Sequence, residues 1–141
     1  MNPTSDKTFL PLPGGLQIQV PDSLDLITPY VLLEQGDWFE DEIKFLRKIL
    51  RSGEKIIDIG ANYGTYTLTM ARAVGEGGVL WAFEPASSTA QCLRASIEAN
   101  GFGHVVLEQC ALSSAPGKAR LALNANSELN AITKGAVAGA S

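Results

Sequence analysis

The sequence predicts an α/β fold built on a parallel sheet, and two observations carry this prediction. From residue 55 onward, short apolar runs alternate with helical segments in the order β-α-β-α-β. Short connections in such an alternation favour a parallel sheet with right-handed crossovers. The run "VLWAF" at 79–83 is apolar at every position, which is typical of a strand buried on both faces.

An N-terminal extension, a β-hairpin followed by a helix, is expected before this region. Residues 1–15 are rich in Pro and Gly and predict an arm without regular structure. "LQIQV" at 16–20 alternates apolar and polar residues, as a half-buried strand does. "LITPYVLL" at 26–33 is interpreted as its partner strand. "GDWFEDEIKFLRKILRSGE" predicts an amphipathic helix with Asp37 as N-cap and Glu40 completing a capping box.

The remaining elements follow in order along the chain. A serine or threonine within 87–89 is expected to cap the second βα helix, and Asn100–Gly101 is a helix-stop signal. The predicted strands and helices are a strand at 55–60, a helix at 63–74, a strand at 79–83, a helix ending near 100, and strands at 104–112 and 119–123. The Ala-, Gly-, Asn- and Ser-rich residues 124–141 predict a loop or disordered tail. We therefore divide the chain into 1–33, 34–123 and 124–141.

Composition excludes several classes of site and partner. The chain has 141 residues, 11 basic against 15 acidic, and a net charge of −4, so nucleic acid is not an expected partner. Its apolar runs are too short to span a bilayer. A structural zinc site needs four ligands, whereas Cys92, Cys110 and His104 are the only cysteines and histidine, so no metal is expected. Two reduced thiols and no apparent signal peptide predict a cytoplasmic protein.

The turn in "IIDIGANYGTYTLTMA" at 56–71 is the first candidate site. Gly60 and Gly64 let the backbone approach a ligand, and a helix N-terminus follows them. A dinucleotide fingerprint would have further glycines where Asn62 and Thr65 stand, and the Walker lysine is also absent. The turn alone is therefore compatible with a phosphate-free ligand or with no ligand.

Glu84 narrows these alternatives because it stands at the tip of the next apolar run, in "VLWAFE". Ligands of parallel sheets bind at the carboxyl ends of the strands, and an acidic side chain there accepts ribose hydroxyls. A solvated charge or a helix-start carboxylate is the structural alternative. The glycine turn and Glu84 together indicate a nucleoside ligand without a phosphate.

These residues carry a family resemblance. "IIDIGANYGTYTLTMA", "VLWAFEPASSTAQCLRASIEANG" and "VVLEQCALS" resemble the opening motifs of class I S-adenosylmethionine-dependent methyltransferases. More narrowly, they resemble the FkbM family, with its D-x-G-A-N-x-G turn and its F-E-P. The upstream "GDWFEDEIKFLRKIL" fits that family's lead-in helix, so the resemblance covers about 34–123.

The resemblance implies a Rossmann-like methyltransferase fold, S-adenosyl-L-methionine as cofactor, and a role for each motif position. The loop around the methionine part would consist of Asp58, Gly60, Ala61, Asn62 and Gly64. Tyr66 would reach the cofactor carboxylate or amino group, and Glu84 would hold the ribose hydroxyls. The remaining implied contacts are Phe83 and Pro85 at the adenine face, and Gln109, Cys110 and Ala111 at the adenine edge. For Glu40 and Glu42, a contact with the cofactor ammonium competes with the simpler explanations of capping and solvation.

The resemblance stops before the later strands of the family's sheet, so we expect a fold that is incomplete at its C-terminus. The leading hypothesis is a methyltransferase that acts on a hydroxyl of a small molecule or saccharide. Its catalytic base and oligomeric state are not predicted. One alternative is a non-catalytic S-adenosylmethionine-binding module. The other is a nicotinamide-dependent oxidoreductase, against which the missing glycines argue.

Overall fold

A computed structural model describes residues 6–133, and its centre is a three-stranded parallel sheet. Its strands β3 (Lys55–Ile59), β4 (Val79–Phe83) and β5 (Val105–Glu108) follow each other in space as they do in the sequence. Ile57 pairs with Trp81, which pairs in turn with Val106. This arrangement confirms the predicted α/β fold with a parallel sheet.

The two connections between these strands are helical. Helix α3 (Thr65–Val74) joins β3 to β4, and helix α4 (Ser87–Ala99) joins β4 to β5. The bounds of the other described elements are β1 (Lys7–Leu12), β2 (Leu16–Pro21), α1 (Ile27–Gln35), α2 (Asp41–Ile49), β6 (Arg120–Ala122), a 3₁₀ turn (Ser127–Leu129) and β7 (Ala131–Thr133). Within residues 6–133, no helix is long and apolar enough to cross a membrane.

Helices α3 and α4 form a middle layer that is buried from two sides. Leu68 and Leu93 are fully buried in one core with hairpin residues such as Ile18. The hairpin also uses polar side chains of α4: the Ser96 hydroxyl oxygen accepts from the Gln19 amide at 2.8 Å. Asn100 exchanges two hydrogen bonds with the backbone of Gln17. The layers are therefore the hairpin, the helices and the parallel sheet.

The opposite face of the sheet is open within the described part of the chain. Ile57 is 62% exposed and Ile59 67% exposed, and Val106 on β5 is also exposed. Leu80 and Ala82, which point to the helical face of β4, are fully buried. No strand of residues 6–133 pairs with the outer edge of β3. The core is thus one-sided, and β4 is not buried on both faces as its sequence suggested.

The hairpin differs from the prediction in its partner strand. Residues 7–12, predicted as an arm, form β1 and pair antiparallel with β2 across a turn containing Gly14 and Gly15. The segment predicted as a strand at 26–33 is instead helix α1. Pro29 is compatible with that helix because it lies in the first turn, where a backbone N–H has no intrahelical acceptor.

Capping is the second point of difference. Helix α2 begins at Asp41, and the Asp37 carboxylate is not its cap but a bidentate partner of Arg47, with distances of 2.6 and 2.8 Å. Helix α4 has Ala86 at its N-cap position and no side-chain cap, so the expected cap within 87–89 is wrong. The stop at Asn100–Gly101 is confirmed, because Asn100 is the C-cap and Gly101 has a positive φ.

The third difference lies near the C-terminus. Strand β5 ends at Glu108, four residues before the predicted end at 112. Residues 127–129 and 131–133, predicted as part of a loop or disordered tail, form the 3₁₀ turn and β7, and β7 pairs with β6. The rest of that predicted tail, 134–141, lies outside the described residues.

The one-sided core predicts different costs for two truncations on neighbouring strands. Leu80→Ala should lower the free energy of unfolding by about 2–5 kcal/mol, because it opens a cavity under the helices. Ile57→Ala, on the open face, should change it by at most about 0.5 kcal/mol. Urea unfolding followed by far-ultraviolet circular dichroism measures both. Equal losses would contradict the one-sided core.

Candidate functional site

The carboxyl ends of β3 and β4 are joined by hydrogen bonds from the glycine turn. The Phe83 carbonyl accepts from the amides of both Gly60 and Ala61, each at 2.9 Å. The next amide, that of Asn62, donates to Glu84 Oε2 at 2.8 Å. Residues predicted from separate motifs therefore lie in direct contact at one edge of the sheet.

Glu84 is buried, with 6% of its surface exposed, and both of its carboxylate oxygens accept backbone hydrogen bonds. Oε2 accepts from Asn62, and Oε1 accepts from the Ala86 amide at 2.9 Å. A carboxylate has about four lone-pair sites, so each oxygen keeps capacity for one further donor. Glu84 can thus hold the turn in place and still accept two hydroxyls of a ligand.

The turn requires backbone conformations that favour glycine. Gly60 has a φ of 77°, and Gly64, which is the N-cap of α3, has a φ of 102°. A Cβ atom on Gly64 would lie only 2.4 Å from Leu93 Cδ1, so a side chain cannot fit there without moving the α4 packing. Asn62 also has a positive φ, 54°, which asparagine tolerates better than most residues.

Asp58 is half-buried near the end of β3 and faces α3. The Thr67 hydroxyl donates to its Oδ2 at 2.5 Å and connects the strand to the first turns of the helix. Burial raises the pKa of the Asp58 carboxyl above its usual 3.8, and the hydrogen bond from Thr67 opposes that shift. Asp58 therefore supports the glycine turn indirectly, because its bond to Thr67 holds the start of α3 against β3.

Tyr66 lies in the first turn of α3, but its hydroxyl already has a partner. It donates to Glu40 Oε2 at 2.6 Å, and the same oxygen accepts from Trp38 Nε1 at 2.9 Å. The hydrogen bond from Tyr66 and, to a smaller extent, that from Trp38 lower the pKa of Glu40. Burial and then the Glu40 carboxylate raise the pKa of Tyr66. The Glu40–Tyr66 pair presents oxygen acceptors and a negative charge to a ligand, which suits an ammonium group better than a carboxylate. Glu42, the other acidic residue considered for that contact, is exposed.

The predicted adenine residues are only partly brought together. Pro85, Cys110 and Ala111 line one cavity of about 710 Å³, which is also lined by residues 112–113 and 115–121 and by Ile132. Phe83 and Gln109 do not line it. Phe83 is half-buried at the end of β4, on the open face of the sheet, and Gln109 is exposed just after β5.

Sequence reasoning missed a second contact with the glycine turn. The Ser127 hydroxyl donates to Asn62 Oδ1 at 2.7 Å. Burial raises the pKa of the neighbouring Tyr63, and the hydroxyl of Ser127 opposes that shift. The run of Asn, Ser and Glu in "NANSELN" was the available signal, because these residues favour caps and turns over free coil.

Several solved structures are similar to this fold, although no family model and no curated protein matches the chain. P. horikoshii TYW2 in complex with MeSAdo matches at 17% identity and a TM-score of 0.57, over 81% of this chain and 39% of that one. M. jannaschii TYW2 in complex with AdoMet matches at 16% and 0.56, over 78% and 46%. Trm5b from Pyrococcus abyssi matches at 17% and 0.53, over 72% and 27%.

At these identities the likeness shows the fold alone. It is a partial Rossmann-like α/β fold, of the kind found in class I S-adenosylmethionine-dependent methyltransferases. The chain spans less than half the length of each of these three structures. Nothing in them supports the FkbM family specifically, and they do not support the expectation that nucleic acid is excluded as a partner.

The raised pKa of Asp58 predicts a pH dependence of stability. Because the native pKa is raised, the native protein keeps this proton to higher pH than the unfolded chain, so the free energy of unfolding falls as pH rises from 3.8 through the native pKa. Asp58→Asn removes this fall. The stability of Asp58→Asn relative to the natural protein should therefore increase over that range.

Urea unfolding between pH 3 and pH 7 measures this difference. Asp25→Asn, at an exposed site, controls for the general effect of removing one carboxylate. A difference between Asp58→Asn and the natural protein that stays constant with pH would contradict the burial of the Asp58 charge.

Proposed function

We propose that this chain is the cofactor-binding part of an S-adenosylmethionine-dependent methyltransferase. The observation that carries the proposal is the contact between the glycine turn and the buried Glu84, which unites two of the motifs at the carboxyl edge of the sheet. Ligands of open parallel sheets bind at that edge. The likeness in fold to the TYW2 structures supports the same proposal, since one of them is in complex with AdoMet.

The hydrogen bonds of the turn favour a ligand without phosphate. A phosphate cradle needs free backbone N–H groups, but Gly60, Ala61, Asn62 and Gly64 all donate theirs within the protein. These contacts argue against a nicotinamide dinucleotide and agree with a nucleoside whose ribose hydroxyls bind Glu84.

The amino-acid end of S-adenosylmethionine has complementary partners around α3. The first N–H groups of a helix have no intrahelical acceptor and favour an anion, so the N-terminus of α3 at Thr65 suits the carboxylate. Glu40 and the Tyr66 oxygen it holds suit the ammonium. This proposal revises the role of Tyr66, because its hydroxyl proton is donated to Glu40 and is not available for the cofactor carboxylate.

The chemistry asks the protein mainly for positioning. When bound, the cofactor supplies a methyl group activated by a sulfonium. This chain's residues would hold the two ends of the cofactor, with Glu84 at the ribose and the helix N-terminus at the carboxylate. Alignment of an acceptor with the methyl group at near-attack distance then supplies much of the rate enhancement.

The acceptor and the family assignment are finer parts of the proposal. We propose a hydroxyl of a small molecule or saccharide as the acceptor, membership of the FkbM family, and a cytoplasmic location. They rest on the motifs "DIGANYG" and "FEP" and on the two free thiols. A hydroxyl acceptor needs a general base, and we assign none.

A non-catalytic module that binds S-adenosylmethionine is the second candidate. The open sheet face and the free edge of β3 favour it, because the described residues supply only one side of the fold. Transfer of a radiolabelled methyl group to a panel of hydroxyl acceptors separates the two candidates. Turnover by this chain would reject the non-catalytic candidate, and binding without turnover on the whole panel would favour it.

Replacement of Glu84 provides the direct test of the cofactor site. Glu84→Gln keeps the shape and one acceptor oxygen but loses the charge, so the Kd for S-adenosylhomocysteine should rise about tenfold to a hundredfold, the range for a hydrogen bond to a charged group. Glu84→Ala is less informative, because it leaves the amides of Asn62 and Ala86 unpaired.

Isothermal titration calorimetry measures the Kd, and thermal unfolding checks that each variant is folded. Glu108→Gln is the matched control, since Glu108 is exposed at the end of the next strand. The Kd of this variant for S-adenosylhomocysteine should be unchanged. Absence of binding to the folded natural chain would reject the proposed function. An unchanged Kd in Glu84→Gln would reject only the role of Glu84.

A further inference from the structure

Residues 124–130, which we name the strap, are attached to the body of the fold by three consecutive side chains. Asn126, Ser127 and Glu128 are each half-buried, and each makes a hydrogen bond to a residue far away in the sequence. The strap also closes on itself, because Asn130 Oδ1 accepts from the Asn124 amide at 2.8 Å. Its position over the glycine turn is therefore set by specific bonds.

One end of these attachments is helix α1, which has no cap of its own. Its N-cap residue, Leu26, offers no side-chain hydrogen bond. Asn126 Oδ1 instead accepts from the Ile27 amide at 2.8 Å, and Glu128 accepts from the hydroxyl of the buried Thr28. A negative charge near a helix N-terminus is also favourable. These bonds anchor the strap without any contribution from a ligand.

The other attachment is the bond from Ser127 to Asn62. Because the Ser127 hydroxyl donates to Asn62 Oδ1, this oxygen is turned toward the strap. The Asn62 Nδ2 group then points to the opposite side of the amide and has no hydrogen-bond acceptor among residues 6–133. The backbone amide of the same residue is held by Glu84. Both ends of Asn62 are thus fixed, and one pair of N–H donors is left for a partner.

We propose that Ser127 is a positioning residue that orients the Asn62 amide so that its Nδ2 group donates to the carboxylate of the cofactor's methionine end. The inference rests on the proposed function. An asparagine side chain presents either an acceptor or a donor, depending on which way its amide is turned. Without the Ser127 hydroxyl the amide is free to turn, and its oxygen would then face the carboxylate.

Two ligands that differ at the methionine end provide the test. S-adenosylhomocysteine carries the carboxylate, whereas 5′-methylthioadenosine has the same nucleoside and lacks the amino-acid end. Ser127→Ala should raise the Kd of S-adenosylhomocysteine about threefold to tenfold, the usual range for one hydrogen bond. The Kd of 5′-methylthioadenosine should be unchanged. Ser127→Thr keeps the hydroxyl and should restore the natural Kd.

Calorimetry with both ligands on four proteins separates the outcomes. Ser52→Ala is the matched control, because Ser52 is exposed in the turn before β3, at the opposite edge of the sheet from the glycine turn. If Ser127→Ala raised the Kd of both ligands equally, Ser127 would have a merely structural role and the proposal would be overturned. An unchanged Kd for both ligands would also overturn it. Failure of both ligands to bind the folded natural chain would reject the proposed function itself, and this inference with it.

Discussion

The site depends on one buried carboxylate with two backbone partners. Glu84 leaves strand β4 and accepts from amides on both of its sides, one in the glycine turn and one at the start of α4. A buried charge is costly unless hydrogen bonds compensate it, and two bonds to backbone amides do so without bringing in a cation. These two bonds therefore hold the Glu84 side chain at the carboxyl edge of the sheet.

The hairpin has a supporting role that concerns α3 and α4. Without it, the outer faces of these helices, including Leu93 and the fully buried Ser96, would be exposed. Ser96 and Asn100 complete the hydrogen bonding of the edge of β2, so a strand edge that would otherwise meet water is closed by helix side chains. The hairpin thus stabilises the two helices whose N-termini lie beside the site.

The parallel sheet could be predicted from the sequence because alternating apolar runs and helix-stop signals are local features. The rule that strand ends share an edge placed the glycine turn and Glu84 near one ligand, but it did not predict the hydrogen bond between Asn62 and Glu84. Three other features depend on distant residues. Asp37 had a valid capping pattern, but Arg47 offered two charge-assisted bonds. The segment around Pro29 was predicted as a strand, whereas it forms α1, whose first amide is bonded by the distant Asn126. The strap itself has no apolar pattern.

The distant cap of α1 has a consequence for biosynthesis. Asn126 and Ile27 are separated by 99 positions, so the first turn of α1 emerges from the ribosome long before its cap does. At about 5–20 residues per second, synthesis of the intervening chain takes roughly 5–20 s. During that interval the first amide of α1 lacks its acceptor, and this end of the helix is completed only once residue 126 has been synthesised.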